Sequence, residues 1–313
     1  MHPYPPLKSL RRLLAEGRHM RFMEAHNALS ATIANEALDP ASARQFDGVW
    51  ASSLTLTAAS ALPDLEMTVV DNRLDAIREI VEASRKPVIV DGDTGGSTSA
   101  LRYFCRKLAR MGAAAVIVEE KAHIKLNSLD DTAQPLADPI EFAVKLGAAR
   151  EAIPNHDLMV IARLESLMVR AGMDDALARA DIYARSGVDG VMIHSKHKDA
   201  SEIAEFCSRF RTLGHRQPIF CVPTTYHVAH AETLFAHGVQ GVIYANHQLR
   251  AAHHAMKLAC ASILVNDRST EIELALSSTK QLFDEVGYTA EVEAIAEIDR
   301  RIVAARRDST AAA

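Results

Sequence analysis

Short apolar runs along this chain stop abruptly at polar residues, and the pattern recurs. Val88-Ile89-Val90 ends in Asp91-Gly92-Asp93-Thr94-Gly95, and Ala115-Val116-Ile117-Val118 ends in Glu119-Glu120-Lys121. Leu158-Met159-Val160-Ile161-Ala162 ends in Arg163 and Glu165, and Gly190-Val191-Met192-Ile193 in His194-Ser195-Lys196. Ile219-Phe220-Cys221-Val222 ends in Pro223-Thr224-Thr225, and Gly241-Val242-Ile243-Tyr244 in Ala245-Asn246-His247. Two earlier stretches have the same form, one running from Arg21 to a His26-Asn27 tip and one from Phe46 to a Ser52-Ser53 tip. Apolar runs of this length, bounded by turn residues, read as buried strands.

Between the strands, apolar residues recur every three or four positions. The spacing predicts helices over 29–36, 69–84, 100–111, 140–152, 173–186, 200–212, 230–237 and 250–264, and one over 7–15 ahead of the first strand. Residues 55–68, rich in Ser, Thr and Ala, show no clear period. Strands alternating with helices imply parallel pairing. The alternation fits an α/β fold, a (β/α)8 TIM-type barrel whose mouth is built from strand tips. A doubly wound open sheet is the competing topology, but its dinucleotide fingerprint and the phosphate-loop pattern are absent. Two more helical patterns, 270–286 and 289–307, close the chain. The chain is therefore divided into a barrel catalytic domain, 1–265, and a C-terminal helical extension, 266–313, packing on the barrel or on a neighbouring subunit.

Composition narrows the function classes. A net charge of −5 argues against a broad nucleic-acid surface, so an anionic substrate needs cations gathered locally. Cys105, Cys207, Cys221 and Cys260 lie far apart with no C-x-x-C spacing. Neither a disulfide framework nor a zinc site is expected, and a reducing cytoplasm is the default location. The basic N-terminal stretch lacks the apolar core of a secretory signal, and no apolar run approaches the roughly 18 residues of a membrane span.

The strand tips supply the candidate chemistry. Asp91 and Asp93, two apart on an extended segment, point to the same side. Without a cation they repel; with a hard divalent cation they become ligands, directly or through water. An Asp-Gly turn closing a strand is the plainer alternative. Acids at Asp91, Asp93, Glu119 and Glu120 face cations at Lys121, Arg163, Lys196 and protonated His194, giving a metal half and an anion half. The oxygen-only acidic set suits Mg²⁺ or Mn²⁺ better than zinc. Arg163 suits a carboxylate or phosphoryl group held bidentately, or else an internal ion pair with Glu165 or Glu119. Ser52, Ser53, Thr224, Thr225 and Asn246 add hydroxyls and an amide; strand capping is the simpler use of the serines. The polar stretch 121–139 is long for a strand-to-helix connection and reads as a lid centred on Lys125, Asn127, Ser128 and Leu129, or as an inert surface loop.

These motifs carry a family resemblance. Phe22-Met23-Glu24-Ala25-His26-Asn27, Trp50-Ala51-Ser52-Ser53-Leu54-Thr55, Asp91-Gly92-Asp93-Thr94-Gly95, Glu119-Glu120-Lys121, Lys125-x-Asn127-Ser128-Leu129, Ala162-Arg163-x-Glu165, His194-Ser195-Lys196, Pro223-Thr224-Thr225 and Ala245-Asn246-His247 occur in order. Together they resemble the phosphoenolpyruvate mutase/isocitrate lyase superfamily, and within it the phosphoenolpyruvate mutase branch. The resemblance implies an isomerase on a (β/α)8 barrel with Mg²⁺ at the mouth, interconverting phosphoenolpyruvate and 3-phosphonopyruvate in phosphonate biosynthesis. It implies that Asp91 ligates the metal while Asp93 and Glu119 hold its waters. Ser52 and Leu54 match positions whose backbone amides hold the substrate carboxylate. Arg163 and His194 match residues around the phosphoryl group and enolate oxygen, and Asp64 an acid at the site's edge. Lys125, Asn127, Ser128 and Leu129 match a gating loop whose asparagine contacts the phosphoryl group in transit. The resemblance further implies helix exchange between barrels, giving a homodimer or homotetramer.

The chain also departs from the family pattern. Gly96-Ser97-Thr98 stands where the family has an aromatic residue, glycine and asparagine, and Ala122-His123-Ile124 stands where its loop has an aromatic residue and proline. Residues 36–45 are longer than the family turn. Three rival functions follow. In phosphonopyruvate hydrolases, which cleave the C–P bond to pyruvate and phosphate, the position of Asn127 resembles threonine, so Asn127 favours the mutase. The related C–C lyases carry a loop cysteine, and none lies between Lys121 and Pro139. A catalytically altered barrel acting as a binding subunit is the third.

Overall fold

In a computed structural model, residues 9–67, 70–122, 125–128, 134–154 and 157–311 are described. The lid position Leu129 and the hinge residues His123 and Ile124 lie outside them. The strands are β1 (Met20–Ala25), β2 (Gly48–Ala51), β3 (Val88–Asp91), β4 (Ala115–Glu119), β5 (Met159–Leu164), β6 (Gly190–Ile193), β7 (Ile219–Cys221) and β8 (Gly241–Tyr244). They pair in sequence order, all parallel, and β8 closes on β1. The fold is the (β/α)8 barrel with extra C-terminal helices, and the open-sheet alternative is removed.

Helices follow the strands largely where the periodicity places them. They are α1 (Leu10–Ala15), α2 (Ala28–Glu36), α3 (Ser53–Ala59), α4 (Val70–Ala83), α5 (Thr98–Met111), α6 (Pro139–Glu151), α7 (Met173–Arg185), α8 (Ser201–Thr212), α9 (Ala231–Ala236) and α10 (His247–Asn266). The short α3 occupies the Ser/Thr/Ala stretch that shows no period; its threonines spend hydroxyls on backbone carbonyls, as Thr57 does on Ser53. The single helix expected over 270–286 is two, α11 (Thr270–Glu273) and α12 (Thr279–Glu285), before α13 (Tyr288–Ala311). Ser278 makes the break: it caps α12 in a reciprocal box with Gln281. The chain divides into two compact units, Met1–Ala251 and Ala252–Ala313, with the division inside α10. The sequence reading draws the boundary one residue before that helix ends.

Strand parity explains the site. Trp50, Ile89, Ala115, Ile117, Met159, Ile161, Met192, Phe220 and Ile243 pack together inside the barrel. Their neighbours Val88, Val90, Val116, Val118, Val160, Ala162 and Val191 pack outward with the helices. Successive side chains alternate faces. The residues two beyond the last inward apolar side chains are Ser52, Asp91, Glu119, Arg163 and His194, and they inherit the inward face. Glycine makes room for the bulkiest lumen side chains: a Cβ on Gly48 would meet the Phe22 ring at 2.4 Å.

Candidate active site

At the C-terminal ends of the strands a narrow cavity of about 60 Å³ is lined by Ser52, Leu54, Asp64, Asp91, Lys125, Asn127, Ser128, Arg163, His194 and Asn246. Trp50, Met192, Val222 and Ala245 form its apolar wall. Ser53, Asp93 and Glu119 stand behind this lining. Ser53 spends its N–H on Asp91 Oδ2 at 3.3 Å and its hydroxyl on Asp93 Oδ2 at 2.8 Å, so it organises the acids.

Lys125, Asn127 and Ser128, from the loop after β4 expected to act as a lid, lie against the acids. Lys125 Nζ donates to Asp64 Oδ1 at 2.8 Å and also to Asp93 Oδ1. Asn127 Nδ2 donates to Asp64 Oδ2 at 2.7 Å. Ser128 Oγ accepts from Arg163 Nη2 at 2.7 Å and from Lys121 Nζ at 2.5 Å, and donates to Glu165 Oε2 at 2.8 Å. The lid is thus joined to the acidic half through Asp64 and Asp93 and to the basic half through Arg163 and Glu165.

Electrostatics separate the carboxylates. Burial alone raises Asp93, but the charges of Arg73 and Lys125 outweigh it and hold the carboxyl down at about 2. Burial raises Asp91, and the charge of Asp93 adds to it. Burial lifts Glu119 to about 7 against the pull of Arg163 and Lys125. Both Glu119 oxygens are buried and accept no hydrogen bond; Arg163 Nη2 lies 3.1 Å from Oε2, an ionic contact without hydrogen-bond alignment. Desolvated carboxylate oxygens without donors, next to a raised Asp91, fit a hard cation that would relieve both. Among the described residues no three Asp, Glu, His or Cys side chains converge into a ready cage. Mg²⁺ does not need one, because it keeps several waters and binds through one or two carboxylates.

On the basic half, Arg163 is bound to Glu165 through Nε–Oε1 at 2.5 Å, so its internal ion pair and its place in the cavity coexist. His194 Nδ1 lies 3.2 Å from both Arg163 Nη2 and Glu165 Oε1. Burial and the Arg163 charge lower the His194 pKa, while Glu165 pulls it the other way, and the ring sits where it can hydrogen-bond to Glu165. Lys121, expected beside it, turns from the cavity to hold the lid at Ser128 and the Leu126 carbonyl. Glu120 turns outward and accepts from Tyr183 on α7.

Arg73 is the residue that motif spacing misses. It sits on α4, ahead of β3, in a stretch that reads only as an amphipathic helix. Its Nη1 donates to Asp93 Oδ2 at 2.6 Å and its Nη2 to the Asp91 carbonyl. An Arg at a helix position gives no sequence signal of which strand tip it meets.

The sequence profile of the family described as phosphoenolpyruvate phosphomutase matches residues 10–264. The phosphoenolpyruvate phosphomutase of Tetrahymena pyriformis is 34% identical over 263 residues, which is 83% of this chain and 84% of that protein. The crystal structure of phosphoenolpyruvate phosphomutase from Streptomyces platensis subsp. rosaceus superposes with a TM-score of 0.85 at 35% identity, covering 94% of this chain and 98% of that one. A phosphonopyruvate hydrolase, solved with oxalate and Mg²⁺, superposes at 0.81 with 31% identity, covering 92% of this chain and 96% of that one. With a barrel closed in the same way and a profile match across nearly all of it, the chain belongs to the phosphoenolpyruvate phosphomutase family.

Proposed function

We propose that the protein is a phosphoenolpyruvate mutase, an isomerase that interconverts phosphoenolpyruvate and 3-phosphonopyruvate with a divalent cation, Mg²⁺ or Mn²⁺. The observation that carries the reading is that Lys125 and Asn127, from the loop after β4, donate to Asp64 in the cavity lining that Arg163 shares. In this reading that loop is a lid, and the reaction requires its closure. The O–P bond breaks with its electron pair left on the enol oxygen, and C3 of the resulting enolate then captures phosphorus. A loose phosphoryl in transit needs positioning and dispersed positive charge. Water in the site would divert it to phosphate.

In this reading Arg163, Lys125 and Asn127 donate to the phosphoryl oxygens. His194 lies beside the enolate oxygen as a hydrogen-bonding group. The amides of Ser52 and Leu54 receive the carboxylate, and Ser128 and Asn246 line its approach. Leu129, assigned to the same loop by the resemblance, lies outside the described residues. Asp91 is the direct metal ligand, with Asp93 and Glu119 holding the cation's waters. When bound, the cation supplies positive charge that stabilises the enolate.

Phosphorus NMR of phosphonopyruvate with the protein and Mg²⁺ tests the proposal. Phosphoenolpyruvate is the expected product. Inorganic phosphate as sole product would assign the hydrolase activity instead, and no change would leave a binding subunit. We further infer a homodimer or homotetramer, supported by the exposed Leu264, Val265 and Leu274 of the C-terminal unit, at 83%, 82% and 99%. Sedimentation equilibrium at monomer mass would remove that inference. Among the described residues no helix is long and apolar enough to cross a membrane.

A further inference from the structure

The segment from Asp91 to Ser97, the β3 tip and the turn after it, is held by three charged side chains from outside β3. Glu66 accepts from the Thr94 N–H and hydroxyl, each at 2.9 Å. Lys145 of α6 donates to the Thr94 carbonyl at 2.6 Å and to the Gly96 carbonyl. Arg73 of α4 grips both Asp93 and the Asp91 carbonyl. The segment needs holding: Asp93 has φ +50°, a left-handed conformation unfavourable for a residue with a Cβ.

Of the three, Arg73 reaches the acids themselves. Its side chain is 12% exposed, its Cζ lies 5.4 Å from the Phe104 ring centroid, and its Nε is buried with no acceptor. A guanidinium packed in this way presents a fixed fork, which a lysine cannot copy. The fork and Ser53 both engage Asp93 Oδ2, which leaves Oδ1 as the oxygen turned to Lys125 and the cavity. Lys125 comes from the long loop after β4, whereas Arg73 comes from a barrel helix, α4.

We propose that Arg73 is a positioning residue for the cation site: it fixes the Asp91–Asp93 tip so that Asp91 and one oxygen of Asp93 are aimed correctly whether the lid is open or closed. The inference rests on the cation site proposed above. It differs in sign from a bystander role. Deleting a positive charge beside a cation site strengthens cation binding by Coulomb's law alone, whereas losing the clamp weakens it.

The test is Mn²⁺ binding to the full-length protein, by calorimetry and by loss of the free-ion electron paramagnetic resonance signal, for the wild type, Arg73→Gln and Arg73→Lys. The expected result is a dissociation constant raised at least fivefold in Arg73→Gln and partly restored in Arg73→Lys, with circular dichroism unchanged in both. Turnover of Arg73→Gln recovers toward wild type at saturating Mn²⁺. Unchanged or tighter Mn²⁺ binding in Arg73→Gln overturns the inference while leaving the cation site in place. A wild type that binds no Mn²⁺ overturns the cation site and the inference with it. If Arg73→Gln is misfolded, Arg73→Lys carries the test, and wild-type affinity there overturns the demand for the guanidinium fork.

Discussion

Asn127 of the lid donates to Asp64 at the edge of the barrel mouth at 2.7 Å, across 63 residues of sequence. This bond joins a lid to a carboxylate that lines the cavity, and Lys125 reaches the same carboxylate. In the proposed reading Asn127→Ala removes one preorganised donor to the phosphoryl group in transit. The expected loss is about 10²- to 10³-fold in kcat, the usual cost of one such donor. Steady-state rates beside an unchanged circular dichroism spectrum check it; a wild-type rate would remove the assigned role.

Asp91 is a separate case, because it is buried and its pKa is raised first by burial and then by Asp93. Asp91→Ala takes away the direct ligand in the proposed reading. Turnover is expected to fall by about 10³-fold or more, matching several kcal/mol of charge stabilisation. Calorimetry with Mn²⁺ should show binding lost in parallel. Mn²⁺ binding retained at wild-type strength would contradict the ligand assignment.

The ion pair of Arg163 with Glu165 predicts a stability effect that is distinct from catalysis. Glu165 is fully buried, and burial would raise its carboxyl, but the Arg163 charge, with His194 hydrogen-bonded to it, holds it well below the usual range. Arg163→Gln leaves that charge short of its main partner. The expected cost is about 3–5 kcal/mol, measured by urea unfolding. The double variant Arg163→Gln, Glu165→Gln should recover part of the stability and none of the activity.

The barrel lumen sets a packing prediction. A Cβ on Gly241 would lie 2.2 Å from the Phe220 ring, and Phe220 is fully buried against Phe22. Gly241→Ala therefore overpacks the lumen at a cost of about 1–3 kcal/mol. A Tm lower by several degrees in calorimetry is the expected readout.

Cysteine reactivity gives a third structural check. Cys105, Cys207 and Cys221 are buried, and burial pushes each thiol up to about 12. They stay protonated below that value, so at pH 8 they are neither accessible nor nucleophilic. No more than one thiol per chain, that of the exposed Cys260, should react with Ellman's reagent before unfolding. Four should react in guanidinium.

The sequence by itself determined the repeating unit and the chemistry of each strand tip. Apolar runs such as Val88-Ile89-Val90 must be buried, and eight of them alternating with helical periods leave few folds that bury them all. It placed Asp91, Glu119, Arg163 and His194 directly after those runs. The helical period also runs through 270–286 unbroken, and it took the capping box of Ser278 with Gln281 in the structure to divide it. What only the tertiary structure decided was direction and company. Parity around a closed barrel sent Glu119 inward and Glu120 outward to Tyr183, though the two are adjacent and chemically alike. Burial beside Arg163 lowered the pKa of His194. The packing of α4 against β3 brought Arg73 to Asp93, a pairing across 20 residues that no periodicity records, because it depends on how a helix sits on a strand and not on either segment's own pattern.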